Sequence, residues 1–151
     1  NAISALRVRA PVVSSSLRVA PAVLAALPDR LRTAQPLYAR TGGVHASGLF
    51  GADGTLELAR EDVGRHNALD KLIGWALAQG RLPLADRLLA VSGRVSYEIV
   101  QKAIAAGLPL IAAVGAPSTL AIDLAEQFEV TLVGFLRDGG MNVYAHGERV
   151  S

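Results

Sequence analysis

The chain has 151 residues, 51% hydrophobic and 19% charged, which fits one compact domain with a substantial apolar core. Its 15 Lys plus Arg against 13 Asp plus Glu give a formal charge of +2, too small a surplus to suggest a nucleic-acid-binding chain. No apolar run reaches the roughly 18 to 20 residues of a membrane-spanning helix, so the sequence reads as soluble and cytoplasmic, and the absence of cysteine excludes disulfides, thiolate metal ligands and a covalent sulfur carrier within these residues.

Aromatic residues make up only 5% of the chain, so the core has to be built from Ala, Val, Leu and Ile, a composition that favours sheet packed against helices. Residues 1–20 have no clean period and read as an extended lead-in or linker; residues 21–151 form the α/β domain. Val23, Leu24, Leu27, Leu31 and Leu37 recur at helical spacing, with Pro28 expected to open a second helical segment and Thr41-Gly42-Gly43 to stop it. Two short strands, 45–50 and 55–59, flank Gly51-Ala52-Asp53-Gly54, whose Asp-Gly pair signals a hairpin. Asp62 is the expected N-cap of a helix running to about Ala78, with Leu69, Leu72, Ile73, Ala76 and Leu77 on its inward stripe and Gly80 beyond its end.

From Leu88 the pattern alternates: strand 88–91, helix 96–106, strand 110–114, a helix capped by Ser118, strand 130–135, and an edge strand near 142–145. Strands separated by helices pair in parallel through right-handed crossovers. The expected architecture is a three-layer α/β/α sandwich around a mixed, mostly parallel sheet.

In such a sheet ligands bind beyond the carboxyl ends of the strands. Three segments arrive there: Ser92-Gly93-Arg94-Val95-Ser96, Gly115-Ala116-Pro117-Ser118-Thr119 and residues 134–140. Each combines glycine with hydroxyls or arginine, the groups that let a backbone approach a phosphate and hold its oxygens. Helix capping alone would also account for Ser96 and Ser118, and none of the three is a Walker loop or a Gly-x-Gly-x-x-Gly fingerprint. His66, three and seven residues before Leu69 and Ile73, is placed on the inward stripe beside Arg65, where it is a candidate hydrogen-bonding or acid–base group. His45 starts a strand near the same edge. His45, His66 and Asp62 show no metal-binding spacing, so no metal is assigned.

Thr41-Gly42-Gly43-Val44-His45-Ala46, the block Glu-Asp-Val-Gly-Arg-His-Asn-Ala-Leu-Asp-Lys at 61–71, Ser92-Gly93-Arg94-Val95-Ser96-Tyr97-Glu98 and Gly134-Phe135-Leu136-Arg137 together resemble the formate dehydrogenase accessory sulfurtransferase family, FdhD. The resemblance implies a cytidine-deaminase-like α/β/α sandwich, usually a homodimer. It further implies delivery of persulfide sulfur from a cysteine desulfurase to the bis-molybdopterin guanine dinucleotide form of the molybdenum cofactor, for use by formate dehydrogenase, with GDP as an analogue of the bound dinucleotide. By the same resemblance, Phe135, Leu136, Arg137, Asp138, Gly139 and Gly140 correspond to a cofactor-binding stretch. Arg94, Ser92, Arg65, His45, Ser118 and Thr119 join them as candidates from the residue reading, with His66 as a possible assistant. The family's persulfide sits on a Cys-x-x-Cys loop ahead of the segment matched by residues 1–7, so this chain is expected to be the cofactor-binding part without the catalytic cysteine. Serine often stands at the position of Gly115 and arginine at that of Gly140. A non-catalytic docking module for formate dehydrogenase or the desulfurase is the competing expectation.

Overall fold

The computed structural model describes residues 11–137 and 139–151; residues 1–10 and Asp138 lie outside the described residues. Helices α1 (Pro21–Thr33) and α2 (Pro36–Thr41) precede the hairpin β1 (His45–Phe50) and β2 (Leu56–Asp62). Next come α3 (Arg65–Ala78), β3 (Leu88–Val91), α4 (Tyr97–Ala105), β4 (Leu110–Ala113), α5 (Thr119–Phe128), β5 (Thr131–Arg137), β6 (Gly140–Ala145) and a 3-10 turn, Gly147–Arg149.

The six strands form one sheet in the order β2-β1-β3-β4-β5-β6. Its centre is parallel, with Leu89 opposite Ile111 and Ile111 opposite Leu132, as alternating helices require. The sheet is mixed, as expected, but antiparallel pairings outnumber parallel ones by three to two. Both outer strands, β2 and β6, return by hairpins, and β1 also runs against β3, so only the two helical crossovers produce parallel neighbours.

Alternation along each strand divides the core between two faces. Leu89, Val91, Ile111, Ala113 and Leu132 face α3, α4 and α5, where they meet Leu69, Leu72, Ile99, Ala103, Leu124 and Phe128. Leu88, Ala90, Leu110, Ala112 and Val133 face Leu24, Leu27 and Leu31 of α1. These are the three layers. Residues 11–20 carry no helix, yet Val13, Leu17 and Val19 are buried, and the Val13 and Val19 amides donate to Phe128 O at 3.0 Å and Arg149 O at 2.8 Å. This stretch therefore packs on the domain and is not a free linker.

Three local expectations change. Pro28 opens no new helix; α1 runs through it, and the second segment starts at Pro36. Burial of Leu24, Leu27 and Leu31 outweighs the hydrogen bond that Pro28 cannot donate. Leu77 is 67% exposed, because Ala68, Leu69, Leu72 and Ala76 already fill the inward stripe of α3. Asp62 is not a helix cap: β2 extends to it, with Asp62 opposite His45, and α3 begins at Arg65 behind Gly64.

Candidate functional site

The carboxyl ends of β3 and β4 meet the amino end of β1, and glycine lets their loops close on one another. A Cβ on Gly115 would lie 2.8 Å from Gly93 O and 2.9 Å from Arg94 N, so only glycine fits without moving the backbone. In that space Gly115 N donates to Gly93 O at 3.2 Å, Val95 N to Ala116 O at 3.2 Å, and Ser118 N to Val95 O at 3.0 Å. Phe135 N donates to Gly115 O at 3.1 Å and thereby joins the third segment to the other two. The result is a hydrogen-bonded ledge across the sheet edge.

A cleft of about 300 Å³ opens along this ledge, lined by Arg65, Arg94, Ser96, Pro117 and Ser118 among others, with no carboxylate in its lining. It lies between the amino ends of two helices. Ser96 caps α4 by accepting from Ile99 N at 3.4 Å, and Ser118 caps α5 by accepting from Ala121 N at 3.1 Å. The capping expectation for both serines holds, and both still border the cleft, since a cap places its hydroxyl beside the unpaired amides of the first helical turn. Those amides and the two guanidiniums make the cleft attractive to an anion.

Arg65 contributes an atom that no sequence pattern reveals. Its Nε is buried and has no hydrogen-bond partner among the described residues. A buried guanidinium N–H without an acceptor costs about 1–3 kcal/mol, and the same side chain lines the cleft. His45 stands close by, its Nδ1 3.1 Å and the Arg65 Cδ 3.7 Å from where a Cβ on Gly93 would be. His66 reaches Ser96, with Nε2 2.9 Å from Oγ.

Adjacent carboxylates hold these groups from opposite sides, because neighbouring residues on a strand point to opposite faces. Glu61 accepts from Leu37 N at 3.1 Å and Tyr38 N at 2.9 Å, tying down the start of α2. Asp62 pairs with Lys71 at 2.8 Å and accepts from Gly64 N at 2.9 Å, which fixes the turn into α3 just before Arg65. The Lys71 ammonium, with the Gly64 N–H second, holds the Asp62 carboxyl at about 2, well below its ordinary 3.8. Lys71 also donates to Glu61 O at 2.9 Å, so one side chain closes the strand-to-helix corner.

The other candidates divide. Ser92 uses its hydroxyl to accept from Ala46 N at 2.9 Å and so aligns β1. Thr119 is exposed on the first turn of α5, outside the cleft lining. Phe135 is 43% exposed and held at φ 50°, a backbone region that a bulky side chain rarely occupies. Leu136 is 2% exposed and packs in the α1-side core, where the register shift between Gly134 and Arg137 turns it inward. Arg137 is exposed and donates to Phe135 O at 3.0 Å, outside the cleft lining. Gly139 and Gly140 stand beside it at the β5–β6 turn, where a Cβ on Gly140 would meet the Arg137 guanidinium at 3.2 Å.

Larger clefts of about 420 and 670 Å³ lie at the opposite sheet edge, but their linings mix charges, Glu129 and Glu148 with Arg18 and Arg149 in one and Asp53, Glu57 and Asp86 with Arg87 in the other. Chemistry, not volume, singles out the ledge.

The FdhD/NarQ family model matches residues 2–151. A protein named Sulfur carrier protein FdhD from Mycolicibacterium paratuberculosis is 58% identical over 132 residues, 87% of this chain and 48% of the relative. The protein of that name from Sulfurisphaera tokodaii is 47% identical over 92% of this chain and 54% of its own. The chain thus spans about half the length of these relatives. A crystal structure of a protein assigned as a formate dehydrogenase accessory protein, from Desulfotalea psychrophila, superposes with a TM-score of 0.83 at 32% identity, covering 94% of this chain and 60% of that one. With a family model matched over nearly the whole chain and the fold shared with a solved formate dehydrogenase accessory protein, the chain belongs to the FdhD/NarQ family.

Proposed function

We propose that this chain is the nucleotide-binding part of a sulfur-delivery accessory protein for formate dehydrogenase. Its cleft takes the guanine dinucleotide end of bis-molybdopterin guanine dinucleotide, the substrate that receives sulfur. The observation that carries this reading is a cleft lined by Arg65 and Arg94 between two helix N-termini, with no carboxylate in its lining. A diphosphate is acceptor-only and doubly charged, which matches a cleft with two guanidiniums and no carboxylate. The names of the relatives support the sulfur-carrier role. The chain has no cysteine, so in this reading the persulfide, loaded by a cysteine desulfurase, rides on a residue outside it.

Calorimetric titration with GDP tests the reading. Saturable binding is expected, weakened about tenfold or more by Arg65→Ala and by Arg94→Ala, the loss of a charge-assisted contact. A folded chain that binds no GDP, or binds it equally well after both substitutions, overturns the assignment of the cleft.

A further inference from the structure

The two serines flanking the cleft are chemically unequal. Each has one hydroxyl proton and two lone pairs. The Ser118 hydroxyl accepts one amide, from Ala121, and has no other hydrogen-bond partner among the described residues. Ser96 accepts from Ile99 N at 3.4 Å and also meets His66 Nε2 at 2.9 Å, a contact whose direction depends on which imidazole nitrogen carries hydrogen.

That direction decides what Ser96 offers a ligand. If Nε2 is bare, Ser96 gives its only proton to His66 and turns a lone pair toward the cleft. If Nε2 carries hydrogen, both Ser96 lone pairs are filled, by Ile99 N–H and by His66, and the hydroxyl proton is free to donate into the cleft. Arg65 and Arg94 line the cleft without a carboxylate, so an acceptor-only ligand is favoured and a bare lone pair would oppose it.

We propose that His66 is a positioning residue whose Nε2–H fixes the Ser96 hydroxyl as a donor to a phosphate oxygen in the cleft. His66 touches no ligand in this arrangement; it acts through Ser96, and its own place is set by the first turn of α3, behind the Asp62–Lys71 pair. The role rests on the phosphate reading of the cleft.

The experiment uses the 151-residue chain, inorganic pyrophosphate and GDP, with ¹⁵N-labelled imidazole signals as the direct readout. With pyrophosphate bound, the His66 Nε2 resonance is expected at the shift of a protonated nitrogen. A bare Nε2 in the complex overturns the proposal even if binding is tight. Affinity gives the second readout: His66→Leu, which removes the donor, is expected to weaken pyrophosphate about fivefold, whereas His66→Gln, whose amide N–H extends about as far, retains most of the affinity. In a Ser96→Ala background the His66→Leu effect disappears, because His66 works only through that hydroxyl. Equal losses for His66→Leu and His66→Gln, or an undiminished His66→Leu effect without Ser96, would leave His66 a packing residue. Failure of the parent chain to bind either ligand overturns the phosphate reading itself, an outcome distinct from loss of the His66 effect alone.

Discussion

Gly115 and Glu61 show how single atoms set the spacing of this site. A methyl group at residue 115 would press on the Gly93 carbonyl and the Arg94 amide, both backbone, so the loops can relieve it only by separating. Gly115→Ala is therefore expected to cost about 1–3 kcal/mol in urea unfolding, and a serine at that position requires a ledge with wider spacing than the one seen here. Glu61→Ala removes the acceptor of two amides at the start of α2 and should cost about 1 kcal/mol, as loss of a helix cap does, with Glu61→Gln retaining part of it. Equal unfolding midpoints for Glu61→Ala and the parent chain would show that this carboxylate holds nothing. Some of these roles are legible in sequence: Ser96 and Ser118 cap helices because a hydroxyl three residues before an apolar stripe is a local signal. The roles of Asp62 and Arg65 are not. Whether Asp62 ends a strand or starts a helix is decided by pairing with His45, and the unpartnered Nε of Arg65 exists only once the chain is folded.

Helix α1 carries Pro28 in its interior, where the missing N–H breaks one bond of the ladder. Pro28→Ala restores that bond and is expected to stabilise the protein by about 1–2 kcal/mol, the helix-propensity gain of about 3 less the extra freedom of the unfolded chain. A lower melting temperature would mean that the proline ring packs in a way its partial exposure does not suggest. Most elements were readable from the sequence because each carries a strong local pattern: the Asp53-Gly54 turn, the continuous apolar strands at 88–91 and 110–113, and the 3.6-residue stripe of α5. The pairing of β1 against β3 was not, since it depends on residues some 40 positions apart and on no turn signal. The inward turn of Leu136 was missed for a similar reason, as a bulge in β5 shifts which residues face out.

Across the molecule, ion pairs at opposite ends of the sheet set the response to pH. At the edge away from the cleft, Glu57 is held at about 2, against an ordinary 4.5, by its hydrogen bond from Arg81 and then by Arg87. Asp62, at the cleft edge, is likewise lowered. A depressed carboxyl contributes stability that is complete above its ordinary value and is lost as pH falls through the folded one, so unfolding should ease between about pH 4.5 and 2. Glu57→Gln should flatten that acid limb in urea midpoints measured against pH. His146 acts in the other direction. Burial alone would lower it, but the Glu126 carbonyl and the Glu148 carboxylate raise it above 6.5, so its contribution is present below 6.5 and fades as pH rises through the folded value. No helix among the described residues is long and apolar enough to cross a membrane.

Whether the ledge holds a nucleotide diphosphate is read from amide chemical shifts of the ¹⁵N-labelled chain during GDP titration. The first and largest changes are expected on residues 93–97 and 115–119 and on the Arg65 side chain, all at one dissociation constant. Changes confined to the β5–β6 turn, or to the cleft around Arg18 and Arg149, would contradict it.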